Sequence, residues 1–295
     1  MQANTPVESF VSTPHGRIWT ARFNPAAPGI PLLVVHGGPG FLSMPQVVSD
    51  LSDERPVVFY DQLGCGRSDR PANLSFASLD RYVDELAAVR DALDLAECHL
   101  LAHSWGAMLA AEYVLRLRPP GVRGLALCGP LLSTPHWERD QRRHLSRMPP
   151  RVRQAVAVAE ECGQFETESY QNAMMDYYRA HVCRLDPWPD ALNAALAQLN
   201  PDVYLAMWGP SEFTVTGSLK GVDLLPRLRE IDVPVLLVGG EHDEAAPDTL
   251  MAFRDALPRG EMAVIPRASH VHHLERPDLF LAIVRDFLRR AGAPA

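Results

Sequence analysis

Three residues with the chemistry of an activated serine stand far apart in the sequence, and each follows a short apolar stretch. Ser104 opens a segment with helical spacing, whereas Asp243 and His270 lie in later loops. A hydroxyl is a weak nucleophile, so it needs a base to take its proton and an acid to orient that base. We therefore predict Ser104 as the nucleophile, His270 as general base and then general acid, and Asp243 as the carboxylate that orients His270 and stabilises its charged form.

The surroundings of Ser104 are typical of a sharp turn between a strand and a helix. Such a turn exposes its serine and carries small flanking residues in the pattern G-x-S-x-G; Ala102 and Gly106 occupy those positions here. By itself the stretch also fits a serine that caps a helix. Asp243 and His270 follow two later predicted strands in the chain order expected with such a turn, which favours the catalytic interpretation.

A glycine-rich segment, HGGPG at 36–40, follows an earlier predicted strand. Glycines let backbone N–H groups approach a negative charge that develops during a reaction. We expect the N–H groups of Gly38 and Trp105 to form an oxyanion hole, with Gly37 as an alternative donor and part of the substrate-binding wall. The alternative is a plain turn. The segment contains neither GK[ST] nor G-x-G-x-x-G, so it predicts no nucleotide site.

Apolar periodicity predicts the elements that must position these residues. After an N-terminal hairpin over 7–23, short apolar runs alternate with segments of helical spacing. The alternation predicts an α/β fold with a mostly parallel central sheet and helices on both faces. The predicted strands cover 31–35, 56–60, 99–102, 122–128, 233–238 and 262–265, and the predicted helices cover 78–93, 106–117, 248–257 and 277–290.

The alternation stops in the middle of the chain. Residues 133–229 have helical, irregular spacing and are interrupted by prolines. We interpret this segment as a helical cap inserted into one α/β domain. The predicted organisation is a first core part at 1–132, a cap at 133–229 and a second core part at 230–295.

Composition excludes several classes of protein. The 295 residues carry a net charge of −8 with no basic block, which argues against a nucleic-acid partner or an anionic membrane surface. No apolar run is long enough to span a membrane, and the N-terminal stretch MQANTPVESF lacks the features of a signal peptide. Five scattered cysteines without a CxxC pair predict a reducing, cytoplasmic setting.

Five motifs spread along the chain carry a family resemblance. They are His36-Gly37-Gly38-Pro39-Gly40, Asp61-Gln62-Leu63-Gly64-Cys65-Gly66-Arg67-Ser68, Ser104-Trp105-Gly106, Gly209-Pro210-Ser211-Glu212-Phe213-Thr214-Val215-Thr216-Gly217 and Gly240-Glu241-His242-Asp243-Glu244. The chain resembles the α/β-hydrolase superfamily and, more closely, the proline iminopeptidase family of serine aminopeptidases. The elbow departs from that pattern at Ala102 and Ala107. The resemblance implies cofactor-free release of an N-terminal proline, or another small apolar residue, from peptides or amides through an acyl-enzyme.

The resemblance also implies that Glu212 and Glu244 hold the free amino terminus of a small-molecule or short-peptide substrate. An α-ammonium that enters a partly dry pocket needs such carboxylates. Without the resemblance, both residues would be interpreted as solvated surface glutamates.

Aromatic residues could form an apolar pocket for the first residue of the substrate, although each is individually typical of core packing. The candidates are Trp105, Trp137, Trp188, Trp208 and Phe213. The resemblance places Cys65 near the substrate mouth, where we interpret it as an inert thiol.

Rival interpretations start from the same residues. His270, His272 and His273 suggest a metal site, but no HExxH motif is present, so we predict no metal and treat the surplus histidines as loop residues. The same triad would serve an amino-acid amidase, an esterase, a lactonase or a carbon–carbon bond hydrolase. A ligand-binding protein on this scaffold would not need an intact triad.

Overall fold

Eight strands form one sheet in the order β1-β2-β4-β3-β5-β6-β7-β8. The computed structural model describes residues 5–293, so the first four residues of the stretch interpreted as lacking a signal peptide lie outside the described residues. β1 and β2 form an antiparallel hairpin, β2 is antiparallel to β4, and all other neighbours are parallel. The strands are β1 Val7–Thr13, β2 Gly16–Phe23, β3 Leu32–Val35, β4 Val57–Tyr60, β5 Cys98–His103, β6 Val122–Cys128, β7 Val235–Gly240 and β8 Gly260–Ile265.

Helices connect the strands and cover both faces of the sheet. They are α1 Leu79–Ala92, α2 Trp105–Leu117, α3 Thr134–Arg147, α4 Pro150–Cys162, α5 Glu168–His181, α6 Asp190–Ala197, α7 Pro201–Met207, α8 Pro247–Ala256, α9 His272–Glu275 and α10 Pro277–Ala291. Short 3-10 helices cover Val48–Asp53 and Leu225–Glu230. No helix within residues 5–293 combines the length and the apolar character that crossing a bilayer requires.

The continuous apolar strands follow from burial on two sides. In β3, Leu33 packs in the cluster that contains α1, α2 and α8, whereas its neighbour Leu32 packs against α10 on the other face. Successive side chains of a strand point to opposite faces, so both must be apolar when helices cover both. The predicted α/β class with a mostly parallel sheet is confirmed.

β7 differs from its prediction by two residues at each end. It begins at Val235 and continues through Gly239 and Gly240, which pair with Val264 and Ile265 of β8. The predicted strand stopped before these glycines, but pairing in the sheet binds their backbone groups. As a result, Asp243 stands three residues after the strand end rather than five.

The segment between β6 and β7 contributes α3–α7 and leaves the sheet uninterrupted, because β6 and β7 are adjacent strands. It has its own buried cluster, in which Val152 and Val156 of α4 pack with Tyr170 and Tyr177 of α5. Two prolines that predicted interruptions begin helices instead, Pro150 at α4 and Pro201 at α7, as proline does at a first helical position. We propose that residues 133–229 form a cap carried by the α/β core.

Candidate active site

Ser104 is the single residue between β5 and α2. Its φ of 56° and ψ of −123° lie outside the regions that side chains prefer, so the surrounding contacts must hold this turn. One such contact is at Gly106, where a Cβ would lie 2.5 Å from the carbonyl oxygen of Val35. The first turn of α2 therefore packs directly on β3, and Ser104 lines a cavity of about 320 Å³.

Asp243 and His270 lie side by side after β7 and β8. Nδ1 of His270 is 2.8 Å from Oδ1 of Asp243, whose carboxylate also accepts the N–H groups of Gly240 and Ala245. Burial alone would raise the pKa of Asp243, but the charge and hydrogen bond of His270 hold it well below the usual range. Burial lowers the pKa of His270, but the charge and hydrogen bond of Asp243, together with the charges of Glu212 and Glu275, more than offset this, so the net shift is upward. His270, like Ser104, lines the cavity.

The surplus histidines are not loop residues, contrary to the prediction. His272 and His273 are buried in α9, and Nδ1 of His272 is 3.6 Å from Oδ2 of Asp243. They are buried because α9 packs against Phe280 of α10. Within residues 5–293, no three His, Cys, Asp or Glu side chains are grouped as metal ligands would be.

Sequence reasoning missed His103, although it directly precedes Ser104. Its Nε2 is 3.0 Å from the carbonyl oxygen of His270, and the two rings are 4.6 Å apart between centroids. Burial holds the pKa of His103 well below its usual value, so this ring is neutral and does not repel a charged His270. We infer that His103 helps to fix the backbone of His270.

The glycine-rich loop passes directly beside Ser104. A Cβ at Gly37 would lie 3.2 Å from Cβ of Ser104 and 3.0 Å from Nδ1 of His103, so the backbone approaches as closely as only glycine permits. Gly37 and Gly38 both line the cavity. Trp105 begins α2, and the N–H groups of a first helical turn have no partner within the helix. The loop and this helix end thus meet at the serine.

Gln62 explains why the glycine-rich motif and the DQ motif occur together. Its N–H donates to Nε2 of His36, and its side-chain amide donates to the carbonyl oxygen of His36. The indole N–H of Trp105 donates to Oε1 of Gln62 at 3.0 Å. One side chain therefore joins the glycine-rich loop to the start of α2, a role that the sequence pattern did not reveal.

Glu212 and Glu244 face the same cavity, so interpreting them as solvated surface residues is wrong. Glu212 accepts a hydrogen bond from the hydroxyl of Tyr204 at 2.7 Å. Glu244 is fully buried, and neither of its carboxylate oxygens has a hydrogen-bond partner in the part of the chain that the structure describes. Its Oε2 is 3.8 Å from Nε2 of His270.

The electrostatics of the two glutamates favour a cation. Burial raises the pKa of Glu212, and it raises the pKa of Glu244 well above its usual value, with the nearby charge of Glu212 adding to the effect. Burial disfavours the charged form of both carboxylates, most of all that of the unpartnered Glu244, whereas a bound ammonium would compensate both charges. We propose that the pair binds a positively charged group.

Helix α3 of the cap holds the loop that carries Glu244. The side-chain amide of Gln141 donates to the carbonyl oxygen of Glu244 at 3.1 Å, and the hydroxyl of Tyr177 donates to the side-chain oxygen of Gln141. The neighbouring Asp140 accepts the N–H of Ala246. These contacts join segments that lie far apart in the sequence, so no local pattern predicted them.

Of the five aromatics proposed for the pocket, Trp188 lines the cavity and the others are packed elsewhere. Trp137 and Trp208 stack edge to face, and their indole N–H groups donate to the carbonyl oxygens of Glu212 and Ser211. They support the Glu212 loop, because a buried indole N–H requires an acceptor. Trp105 binds Gln62, and Phe213 packs in the cap core. The other aromatic lining residues are Phe41, Phe165, Tyr178, Tyr204 and Phe280.

Cys65 is fully buried, and burial raises the pKa of its thiol. A thiol that is both inaccessible and protonated is a poor nucleophile, which supports its interpretation as inert. All five cysteines are unpaired.

The loop that carries His270 is attached to the cap. The N–H of His270 donates to the carbonyl oxygen of His181 at 3.0 Å, at the end of α5. Glu275 joins the same two segments, because its carboxylate accepts the N–H of Arg184 and both the N–H and the hydroxyl of Ser269. We infer that Glu275 is a positioning residue for His270.

The substitution Glu275→Gln is expected to lower kcat by about 10-fold with little change in KM, because small displacements of reacting groups are costly. The charge of Glu275 is among those that raise the pKa of His270. Its removal should therefore move the acidic limb of the kcat/KM profile to lower pH. The measurement is a pH–rate profile for the variant and for Asp278→Asn, an exposed acid nearby. A lower melting temperature with unchanged kcat and pH profile would contradict a positioning role.

Known proteins match this chain in fold and over nearly its whole length. Residues 30–277 match the family described as the alpha/beta hydrolase fold. A proline iminopeptidase of Heyndrickxia coagulans is 40% identical over 95% of this chain and 98% of that protein. The crystal structure of VinJ superposes with a TM-score of 0.93 at 32% identity, over 97% of this chain and 99% of that one. The crystal structure of the Mycobacterium smegmatis proline iminopeptidase gives a TM-score of 0.88 at 35% identity, with the same coverage.

Proposed function

The chain belongs to the proline iminopeptidase family of the α/β hydrolases, and from this membership we propose how its residues release an N-terminal proline. It is a serine aminopeptidase. The observation that carries the assignment is the unpartnered carboxylate of Glu244, which lies 3.8 Å from His270 in the cavity that Ser104 lines. We assign Ser104, His270 and Asp243 as nucleophile, base and orienting acid.

The position of Glu244 explains why only the first residue of a substrate is removed. The α-ammonium binds between Glu212 and Glu244, and the carbonyl carbon of the same residue is two bonds away. Since Glu244 is next to Nε2 of His270, this carbonyl is the one that meets Ser104. A peptide bond farther along the chain would carry its ammonium out of reach of both carboxylates. The substrate is therefore a peptide or amide with a free amino terminus.

The reaction follows from the roles of the three residues. Nε2 of His270 takes the hydroxyl proton of Ser104 as its oxygen attacks the carbonyl carbon, and Asp243 stabilises the imidazolium that forms. The N–H groups of Gly38 and Trp105, with Gly37 beside them, bind the oxyanion. When the C–N bond breaks, the leaving amine takes the proton from His270. Water, activated by His270, then hydrolyses the acyl-enzyme.

This chemistry uses groups of the chain alone, and we propose no cofactor. The five unpaired cysteines are consistent with a reducing compartment, so we place the reaction in the cytoplasm, away from nucleic acid and membrane surfaces. An amino-acid amidase would use the same anchor and triad and would differ in its leaving group. An esterase or lactonase would not need the anchor.

The test compares proline p-nitroanilide with N-acetylproline p-nitroanilide and p-nitrophenyl acetate. Acetylation removes the positive charge that Glu212 and Glu244 bind. We expect kcat/KM to fall by about 100-fold or more, since truncating one partner of a buried charge pair costs about 2–5 kcal/mol. Alanine and phenylalanine p-nitroanilides measure the preference for the first residue. Equal or faster turnover of the acetylated and ester substrates would contradict the anchor and indicate a general esterase.

A further inference from the structure

Apart from the predicted catalytic residues and the two glutamates, the cavity is lined mainly by apolar side chains, although Glu166 and Gln171 also line it. Leu192 and Leu196 of α6 line it together with Trp188, Leu199 and Met44. Within residues 5–293, no arginine or lysine side chain lines the cavity. The acidic side chains in its wall are Glu166, Glu212 and Glu244.

The backbone N–H groups at the N-terminus of α7, beside the cavity, already have hydrogen-bond partners. Pro201, the first residue of α7, lies in the cavity wall, and a helix N-terminus can bind an anion. Here Oδ1 of Asn200 accepts the N–H groups of Asp202 and Val203, at 3.1 Å and 3.4 Å. Asp202 adds a negative charge to the same turn. This end of α7 therefore provides neither free N–H donors nor positive charge to stabilise a carboxylate.

A dipeptide would bring a carboxylate into this cavity. With its ammonium at the two glutamates, its second residue extends past Ser104 by only about 3.5 Å. The terminal carboxylate would then lie among apolar side chains and within the field of the glutamates, without a cation. An unpaired charge in such a place is strongly disfavoured. A neutral leaving group avoids this penalty and gains from burying apolar surface.

We propose that this enzyme selects substrates whose leaving amine is uncharged and apolar, such as prolyl amides of alkyl or aryl amines and C-terminally amidated peptides, over dipeptides with a free carboxylate. The inference rests on the proposed function, because the glutamates set the direction in which the substrate lies. Longer peptides can be accepted when their carboxylate extends beyond the cavity into solvent.

The experiment compares kcat/KM for Pro-Leu-NH₂ and Pro-Leu with a free carboxylate. We expect kcat/KM for the amide to exceed that for the acid by about 100-fold, because the carboxylate of the acid would be buried without a positively charged partner. Prolyl butyl-, hexyl- and octylamides should gain about two- to four-fold per methylene until the cavity is filled. The kcat/KM for Pro-Leu-Gly-Gly-Gly should lie between those for Pro-Leu and Pro-Leu-NH₂, because its carboxylate lies farther from the glutamates.

A substitution that adds a positively charged side chain to the cavity wall tests the same inference. Leu196→Arg should reduce the ratio of kcat/KM for the amide to kcat/KM for the acid by about 10-fold. The control Leu196→Met, which is uncharged and close in size to leucine, should leave this ratio unchanged. Equal rates for amide and acid in the wild type, or no gain along the alkyl series, would overturn the inference. If neither prolyl substrate is cleaved while acetylated esters are, the proposed function itself fails, which is a distinguishable result.

Discussion

Ser104→Ala is expected to lower kcat for proline p-nitroanilide by about five to six orders of magnitude, with KM changed far less. The hydroxyl oxygen forms the acyl-enzyme, so its loss removes covalent catalysis and leaves only the oxyanion hole and substrate binding. The loss should be equally severe for esters, because both substrates use the same nucleophile. Steady-state and single-turnover kinetics measure it.

The fold should tolerate this change, which makes the result interpretable. Ser104 adopts a positive φ of 56°, and serine and alanine both carry a Cβ, so the strain at the turn stays similar. We expect a melting temperature close to that of the wild type. Ser218→Ala, at an exposed cap residue, is the matched control and should keep full activity.

Labelling with a fluorophosphonate probe gives an independent reading of the same prediction. The probe should modify wild-type protein at Ser104 and fail to modify Ser104→Ala, since an activated hydroxyl is required. If the variant keeps near-normal activity or is still labelled, another residue is the nucleophile. If the wild type is neither labelled nor active, the chain is a binding protein on a hydrolase scaffold.

Glu244→Gln is expected to lower kcat/KM for free-amine substrates by about 100-fold to 1000-fold, because the ammonium loses a buried partner charge. Hydrolysis of p-nitrophenyl acetate, which has no amine, should change by less than about three-fold. Glu212→Gln should act in the same direction and keep its hydrogen bond from Tyr204, since an amide oxygen also accepts. The double variant should lose less than the sum of the two effects, because both residues bind one ammonium.

The same Glu244→Gln variant should be more stable than the wild type. Burial raises the pKa of Glu244 in the folded protein well above its usual value. Below the usual glutamate pKa this group is protonated in both states and has no effect. As pH rises toward the folded pKa, the unfolded chain releases the proton more readily, so the native state loses stability. The gain in melting temperature should therefore be larger at about pH 8 than at about pH 5.

Glu161→Gln, an exposed glutamate of α4, is the matched control and should alter neither activity nor stability. The anchor is refuted if Glu244→Gln reduces ester hydrolysis as much as it reduces hydrolysis of free-amine substrates. The stability argument is refuted if Glu244→Gln melts below the wild type at alkaline pH. Buried carboxylates that wait for a substrate cation destabilise the free protein but are needed for activity. We therefore expect Glu244→Gln to gain stability and lose activity.

Local features of the sequence determined the fold class and most element boundaries. Runs such as Leu32–Val35 predicted strands buried on two sides, and helical spacing predicted α1, α2 and α10. The turn at Ser104 was recognisable because its small neighbours and its change from strand to helix are local properties. Asp243 and His270 were predicted as partners of Ser104 because the carboxyl ends of parallel strands share one edge of the sheet.

Only the tertiary structure decided what surrounds these residues. Whether Glu212 and Glu244 are solvated or share a cavity depends on how the cap lies over the core. The contact between Gln141 and Glu244 joins residues 103 positions apart, and His181 binds the backbone of His270 in the same way. Periodicity describes the face that a residue presents, but not the segment that covers it. The burial of His272 and the apolar side chains that Leu192 and Leu196 of α6 contribute to the cavity wall are therefore properties of the folded chain alone.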